Sequence, residues 1–134
     1  MTVRVERLSD WRSHLDAYLD EKVRVPFEYG TNDCALFAAG AVLAMTGFDP
    51  AESFRGRYHT RAQAYRTLMS RGYGKVEEIA RSFFREIHPS RAQIGDLAVI
   101  RSAVGVVGGS MVFVLRENGL GQVPLALATT AFEV

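Results

Sequence analysis

The chain is predicted to fold as an α+β domain, because helical patterns fill its first part and short strand patterns fill the remainder. An almost completely apolar helix starts at Cys34, and three β-rich runs follow Asp96. The length of 134 residues matches one domain with one hydrophobic core. We therefore expect a single domain over residues 1–134, in which N-terminal helices, including the helix that begins at Cys34, pack on a C-terminal antiparallel sheet.

The composition excludes several classes of function. The 16 basic and 15 acidic residues leave a net charge of +1, which creates no overall attraction to nucleic acid or anionic lipid. One cysteine cannot form an internal disulfide, and three scattered histidines show no metal-ligand spacing. The N-terminus has no apolar run or cleavage signal, and no stretch reaches membrane-spanning length. We expect no metal, cofactor, nucleic acid or membrane insertion, and synthesis in the cytoplasm without a signal peptide.

The first helix is predicted to start after Ser9 or Asp10, either of which can cap it. Pro26 forbids its continuation, because the residue before a proline disfavours helix. Its apolar face consists of Trp11, Leu15, Tyr18 and Leu19.

The second helix is predicted from Cys34 to Met45. It is apolar nearly all round, as expected of a central helix that other elements bury. Gly47 is a suitable residue for the C-terminal cap, and Asp49-Pro50 stops the helix. Gly40 and many alanines would let a neighbouring element approach closely, which suits packing against a sheet.

Two more helices follow a polar loop at Arg55 to His59. Thr60 and Gln63 form the pattern of a capping box, and the helix that they open should run to Gly72. Its apolar positions are Ala64, Tyr65, Leu68 and Met69. A shorter helix is expected around Val76 to Phe84.

The strand patterns begin after Asp96 and predict an antiparallel meander. The three runs are Leu97–Ile100, Val104–Val107 and Met111–Leu115. The turns that divide and end them are Ser102-Ala103, Gly108-Gly109-Ser110 and Glu117-Asn118-Gly119. Two further segments, Gln122–Leu125 and Phe132–Val134, are expected to add short closing strands or a last turn.

The turn from Gly30 to Asp33 delivers the cysteine to the start of a helix. A thiolate in the first turn is stabilised by unpaired N–H groups and by the helix dipole, so Cys34 is a candidate nucleophile. The alternative is that Cys34 is a small buried hydrophobe, the usual role of a lone cysteine. Asp33 is the expected N-cap of this helix, a role that does not exclude a place in a functional site.

Several motifs in order carry a family resemblance. The pattern from Tyr29 to Cys34 (aromatic-Gly-x-x-Asp-Cys), then Gly95-Asp96, then Ala103 to Gly108, resembles the NlpC-type cell-wall peptidases of the papain-like superfamily over residues 26–115. Small proteins of tailed phages and prophages resemble the chain still more closely. They share Asp33-Cys34, Thr46-Gly47-Phe48-Asp49-Pro50-Ala51, Arg55-Gly56-Arg57-Tyr58 and Gly95-Asp96 in this order.

The resemblance implies a papain-like fold with Cys34 at the nucleophile position. Tyr29 and Asp33 match positions near the cleft that can donate or hold hydrogen bonds. In an active enzyme of this type a histidine takes the thiol proton and a third polar residue orients that histidine. Ala103 stands where the histidine is usual, and alanine cannot serve as a base. The other departures from the family pattern are Val114-Leu115 at the orienting position and Ala35 in place of a small hydroxyl residue.

His59 is the remaining candidate for a displaced base. It could approach Cys34 if the polar loop folds back over the helix, and otherwise it is an exposed residue before the capping box. His14 and His88 are interpreted as helix and loop residues without a site role. The segment Arg55 to Tyr58 either clamps onto Asp49 or Asp33, or forms a docking patch.

The resemblance therefore implies a component of a phage tail tip or of tail assembly with a degenerate peptidase site. Its expected partners are other tail proteins, at the hub or tip, with peptidoglycan as a further possibility. Its expected location is the virion tail. The alternative function is an active cysteine endopeptidase or amidase that cleaves peptidoglycan peptides during phage entry. The two functions differ in one feature, a base beside Cys34.

Overall fold

The computed structural model describes residues 5–134. The helices are α1 (Trp11–Lys22), α2 (Cys34–Thr46), α3 (Arg61–Ser70) and α4 (Val76–Phe83). The strands are β1 (Arg85–Ile87), β2 (Leu97–Ile100), β3 (Ala103–Val107), β4 (Met111–Arg116), β5 (Gly119–Pro124) and β6 (Thr130–Glu133). Short 3-10 turns lie at Pro89–Arg91 and Leu125–Leu127. Residues 1–4, on which part of the expectation of no signal peptide depends, lie outside the described residues.

The strands form one antiparallel sheet in the order β1-β6-β2-β3-β4-β5. Strands β2 to β5 are the predicted meander, with Val99 opposite Val104 and Val106 opposite Phe113. Strand β6 returns to pair with both β2 and β1. The predicted α+β class, with helices first and an antiparallel sheet last, is confirmed.

Helix α2 is buried from two sides, which explains why it is apolar nearly all round. One side packs on the sheet and on α1, where Phe37 and Val42 contact the same cluster as Leu97 and Val99. The alternate residues of β2, Ala98 and Ile100, contribute to a separate cluster. This alternation follows from the two-residue period of a strand.

The other side of α2 packs under the connection between α2 and α3. Its cluster is made of Leu36, Ala39, Ala51, Phe54 and Tyr58. Partly buried residues of α3 and α4, including Leu68 and Ile79, pack against this cluster. The N-terminus of α2 therefore lies where the sheet, the connection and the two smaller helices meet.

The caps show how local sequence sets the helix boundaries. Gly47 adopts φ 81° and its N–H donates to the carbonyl of Leu43, as expected of a C-terminal glycine cap. Thr60 caps α3 by accepting from the N–H of Gln63 at 3.1 Å. The side chain of Gln63 accepts from the N–H of His59 at 2.8 Å, one residue earlier than in a standard capping box. The predicted cap of α1 is wrong in its chemistry, because Asp10 makes no capping bond and instead contacts the ring of His14 at 2.9 Å.

One strand was not predicted, and the bounds of several predicted elements differ from those observed; β6, for example, starts at Thr130 and not at Phe132. Strand β1 was not predicted, because it has three residues, two of them charged, and it pairs with β6 alone. Strand β5 starts at Gly119, inside the predicted turn, since the hairpin with β4 continues to Arg116. Ala103 belongs to β3 and not to the preceding turn.

Within residues 5–134 no helix has the length and apolar character needed to cross a membrane.

Candidate functional site

Cys34 is the first residue of α2 and is half-buried. The backbone N–H of Val104, on β3, lies close enough to the thiol to favour its thiolate form and so to lower its pKa. The predicted helix start at Cys34 is confirmed, and α2 packs against the sheet that contains β3, the strand of Ala103. The arrangement brings a potential nucleophile and a backbone donor together.

The environment of the thiol keeps it protonated at neutral pH. Burial is the largest effect and raises the pKa of Cys34, and the charge of Asp33 raises it further. The N–H of Val104 and the first-turn amides of α2 lower it, but they do not outweigh burial. A reactive cysteine needs the opposite balance, in which a cation or an imidazolium stabilises the thiolate.

Within the described residues, no imidazole hydrogen-bonds to the thiol. The ring of His14, on α1, contacts Asp10, the residue before this helix, and the ring of His88 contacts Ser90 at 2.7 Å. His59, the residue before the N-cap of α3, is exposed. Ala103, where the resemblance to NlpC-type peptidases would place a base, has only a methyl side chain.

Asp33 is fully engaged in holding the turn before α2. One carboxylate oxygen accepts from the N–H of Leu36 at 3.0 Å, which confirms the predicted N-cap. The other oxygen accepts from the N–H of Gly30 at 3.0 Å and from the hydroxyl of Tyr58 at 2.6 Å. Because Asp33 is buried and both its oxygens have donors, it orders the backbone around Cys34.

Tyr29 is half-buried and makes an edge-to-face contact with Phe27, with ring centroids 4.8 Å apart. Its ring also packs against the cluster that contains Tyr58. Tyr29 therefore supports the turn by packing. No hydrogen bond from its hydroxyl is present in the part of the chain that the structure describes.

The connection between α2 and α3 contributes a residue whose partner the sequence left open. Burial, followed by the hydrogen bond to Asp33, raises the pKa of Tyr58 far above its ordinary value. The hydroxyl of Tyr58 therefore stays protonated at neutral pH and donates a hydrogen bond to Asp33. Its place in the Arg55 to Tyr58 motif was the available signal, but the motif alone did not choose between Asp33 and other partners.

Arg55 pairs with Asp49. Of the roles left open for this arginine, the structure therefore shows the contact with Asp49 and not one with Asp33. Its Nε donates to one oxygen of Asp49 at 2.7 Å, and its Nη2 donates to the other at 3.3 Å. Asp49 also accepts from the N–H of Ala51 at 3.0 Å. The bidentate pair fixes the shape of the connection over α2.

Gly30 marks the point where the two loops cross. Its φ is +83°, and a Cβ at this position would collide with the backbone carbonyl of Tyr58. The carbonyl of Gly30 accepts from the N–H of Gly56 at 2.9 Å. The close approach and the left-handed backbone both require glycine.

Two of the four ordered motifs, Asp33-Cys34 and Arg55 to Tyr58, thus meet at the start of α2. The Thr46 to Ala51 motif begins at the other end of α2 and is joined to them through the pair of Asp49 with Arg55. The fourth motif lies elsewhere. Asp96, of Gly95-Asp96, is buried and accepts from Arg7 at 3.0 Å. It also accepts from the N–H groups of Gln93 at 2.9 Å and Val134 at 3.0 Å. Asp96 therefore joins the two ends of the described chain.

A groove lies beside Cys34 between the connection, α3, α4 and the β2–β3 hairpin. Its volume is about 330 Å³, and the thiol itself does not line it. We call this feature the α3 groove, and the residues that line it include Ala35, Tyr58, Arg61, Tyr65, Leu68 and Ser102. Its lining is mostly apolar, so it is suited to binding a side chain of a partner. Within residues 5–134 no cluster of histidine, cysteine and acidic residues has the makings of a metal site.

Buried Tyr58 and half-buried Tyr18 predict a loss of stability at alkaline pH. Burial raises the pKa of Tyr18, whose hydroxyl donates to the carbonyl of Phe37 at 2.8 Å, and it raises the pKa of Tyr58. Above pH about 10 the unfolded chain releases these protons while the folded chain keeps them, so the free energy of unfolding falls as pH rises. Urea unfolding against pH should show a shallower fall in Tyr18→Phe and Tyr58→Phe. Tyr65→Phe, which removes a surface hydroxyl, should follow the parent curve, and equal slopes in all four proteins would contradict the assignment.

The family comparison finds one match that spans nearly the whole chain. A model described as a domain of unknown function, DUF6950, matches residues 6–134. The chain therefore belongs to this family. No curated protein matches the chain.

Proposed function

We propose that this member of the DUF6950 family is a non-catalytic, NlpC-type papain-like module that acts by binding other proteins in a phage or prophage tail. The observation that carries the proposal is the state of Cys34, a half-buried thiol with a raised pKa and no imidazole bonded to it in residues 5–134. The order of the motifs supports the papain-like fold and the tail setting, and Ala103 at the histidine position supports the absence of catalysis.

The chemistry of the site supports a binding role over a peptidase role. Peptide cleavage by a thiol needs a base that removes the thiol proton and later donates a proton to the leaving amine. Ala103 has no group that exchanges a proton. Both oxygens of Asp33 are occupied by donors of the turn and by Tyr58. The arrangement retains the geometry of a nucleophile at a helix start but lacks the proton acceptor.

The same residues that hold the turn provide a rigid binding scaffold. Asp33, Tyr58 and Arg55 tie the connection to the N-terminus of α2 through side-chain hydrogen bonds. A rigid surface loses little conformational entropy when a partner binds. In a tail protein this surface would present the α3 groove in one fixed shape.

The thiol provides the test of the proposal. Iodoacetamide labels the thiolate, so the labelling rate against pH reports the pKa of Cys34. The parent protein should show a midpoint above the ordinary value of about 8.5, because burial outweighs the amides of the helix start. Ala103→His should lower the midpoint, since an imidazolium beside the thiol favours the thiolate. Ala128→His, at another half-buried alanine, is the matched control and should not lower it.

A midpoint below about 6 in the parent that rises in His59→Ala would overturn the proposal and identify His59 as a displaced base. Cleavage of peptidoglycan peptides by the parent protein, lost in Cys34→Ala, would do the same. Absence of the chain from purified virions would contradict the tail setting alone. Cys34→Ala should leave particle assembly intact if the thiol has no chemical role.

A further inference from the structure

We infer that the α3 groove binds an acidic segment of a partner protein through an apolar anchor residue. The inference deepens the proposed function, on which it rests, because it names the class of partner and the surface that the partner uses. It follows from the apolar lining of the groove, from unpaired arginines around it and from a strained hairpin at its rim.

The groove is apolar but is not filled by the chain. Helix α3 buries no residue completely, although Leu68 and Ala64 pack partly against the cluster below it. Tyr65, which also lines the groove, leaves 59% of its surface exposed. An exposed aromatic ring beside an apolar groove is typical of sites that receive a side chain from a partner.

One arginine lines the groove, and two more are adjacent in sequence to residues that line it. Arg61 lines the groove, Arg57 precedes the lining residue Tyr58, and Arg101 precedes the lining residue Ser102. All three are exposed, and within residues 5–134 none forms a hydrogen bond or an ion pair through its guanidinium. Arg61 also stands in the first turn of α3, where the helix dipole disfavours a cation. A carboxylate bound there would remove this unfavourable interaction.

The acidic residues near the groove do not neutralise these arginines. Glu77 pairs with Lys75 and Arg81, and Glu78 accepts from the N–H of Gly74 at 2.6 Å. Glu52 is the remaining carboxylate beside the lining residues of the connection. A hydrogen bond from a backbone N–H leaves the charge of Glu78 in place, so Glu52 and Glu78 are two unpaired anions against the three arginines. The charge balance beside the groove is positive. An acidic segment is the complement of such a surface.

The β2–β3 hairpin places Arg101 at the rim at a conformational cost. Its two central residues, Arg101 and Ser102, have φ of 51° and 68°. A tight hairpin of this form favours Asn-Gly, because non-glycine residues are strained in the left-handed region. A long cation at a position where glycine is favoured indicates that its side chain serves an interaction. The preceding strand and β3 hold this turn rigidly at the edge of the groove.

The test uses three fluorescein-labelled peptides that share a central Leu-Phe pair and differ in their flanks. The flanks are all Glu, all Gln or all Lys, and binding to the full chain is measured by fluorescence anisotropy at two ionic strengths. The Glu peptide should bind at least about tenfold more tightly than the Gln peptide, and added salt should reduce the difference. The Lys peptide should bind most weakly.

Substitutions locate the binding. Arg61→Ala and Arg101→Ala should each weaken binding of the Glu peptide about three- to tenfold. Tyr65→Ala should weaken binding of the Glu and Gln peptides by the same factor. Arg91→Ala removes an exposed, unpaired arginine away from the groove and should have no effect. Met69→Ala removes an exposed apolar side chain of α3 that does not line the groove, and it is the control for Tyr65→Ala.

Several results would overturn the inference. Equal binding of the Glu and Gln peptides, no binding of either, or equal effects of Arg61→Ala and Arg91→Ala would each exclude the groove as an acidic-segment site. If a single-stranded oligonucleotide bound more tightly than the Glu peptide, and if this binding depended on Arg61, the arginines would be assigned to nucleic acid instead. A dimer of the free chain, seen by light scattering and dissociated by Arg61→Glu, would place a second copy in the groove. A thiol with a low pKa together with binding of the Glu peptide would contradict the proposed function alone.

Discussion

Asp96→Ala should lower the free energy of unfolding by about 3 to 5 kcal/mol, the cost of removing one partner from a buried ion pair. The side chain of Asp96 is 4% exposed and that of Arg7 is 20% exposed, so the guanidinium would lose its carboxylate in a largely desolvated place. The N–H groups of Gln93 and Val134 would lose their acceptor as well. Since small domains are stable by about 5 to 15 kcal/mol, this is a large share of the total. Urea unfolding, with the slope held to the parent value, measures the change.

Two controls separate the buried pair from a general loss of charge. Glu133→Ala breaks a surface pair with Arg85, in which both side chains are more than half exposed, and it should cost less than about 1 kcal/mol. Arg7→Ala should cost less than Asp96→Ala, because Asp96 would still accept from two backbone N–H groups. Equal losses for Asp96→Ala and Glu133→Ala would show that the buried carboxylate does not hold the two chain ends together.

The fold class and the helix boundaries could be predicted because they depend on local patterns. Helix α2 is apolar on nearly all its faces, which predicted that other elements bury it, and Gly47 predicted its C-terminal end. The short β-rich runs of β2 to β4, divided by turn residues, predicted a meander, since each strand needs little more than its own hydrophobic run and a turn. Strand β1 could not be predicted, because its existence depends on pairing with β6, which lies far along the chain.

Only those features of the candidate site that depend on residues close together in the sequence could be predicted. The turn before Cys34 is local, so the sequence indicated both the cysteine at the helix start and the capping role of Asp33. The contacts of Tyr58 with Asp33 and of Val104 with the thiol join segments far apart in sequence. Such contacts depend on how the connection and β3 pack on α2, which no local pattern specifies. For the same reason the choice of Asp49 as the partner of Arg55 needed the structure.

Asp33→Ala is expected to have the second large effect and to lower the free energy of unfolding by about 3 kcal/mol. The substitution removes the cap of α2 and leaves two further buried donors without an acceptor. The three donors are the N–H groups of Leu36 and Gly30 and the hydroxyl of Tyr58. Asp33→Asn keeps one oxygen and should lose less, so a graded series is expected in urea unfolding. Asp16→Ala, at an exposed carboxylate of α1, should change stability by less than about 1 kcal/mol.

The Asp33 variants also test the link between the network and the thiol. Because the charge of Asp33 raises the pKa of Cys34, Asp33→Asn should lower the midpoint of iodoacetamide labelling. Tyr58→Phe keeps that charge and removes a donor, so it should destabilise the fold without lowering the midpoint. In a double-mutant cycle, Asp33→Ala and Tyr58→Phe should together cost less than the sum of the single losses, since both remove the same 2.6 Å hydrogen bond. Additive losses would show that Tyr58 and Asp33 stabilise the start of α2 independently, and a network built on Asp33 would then be excluded.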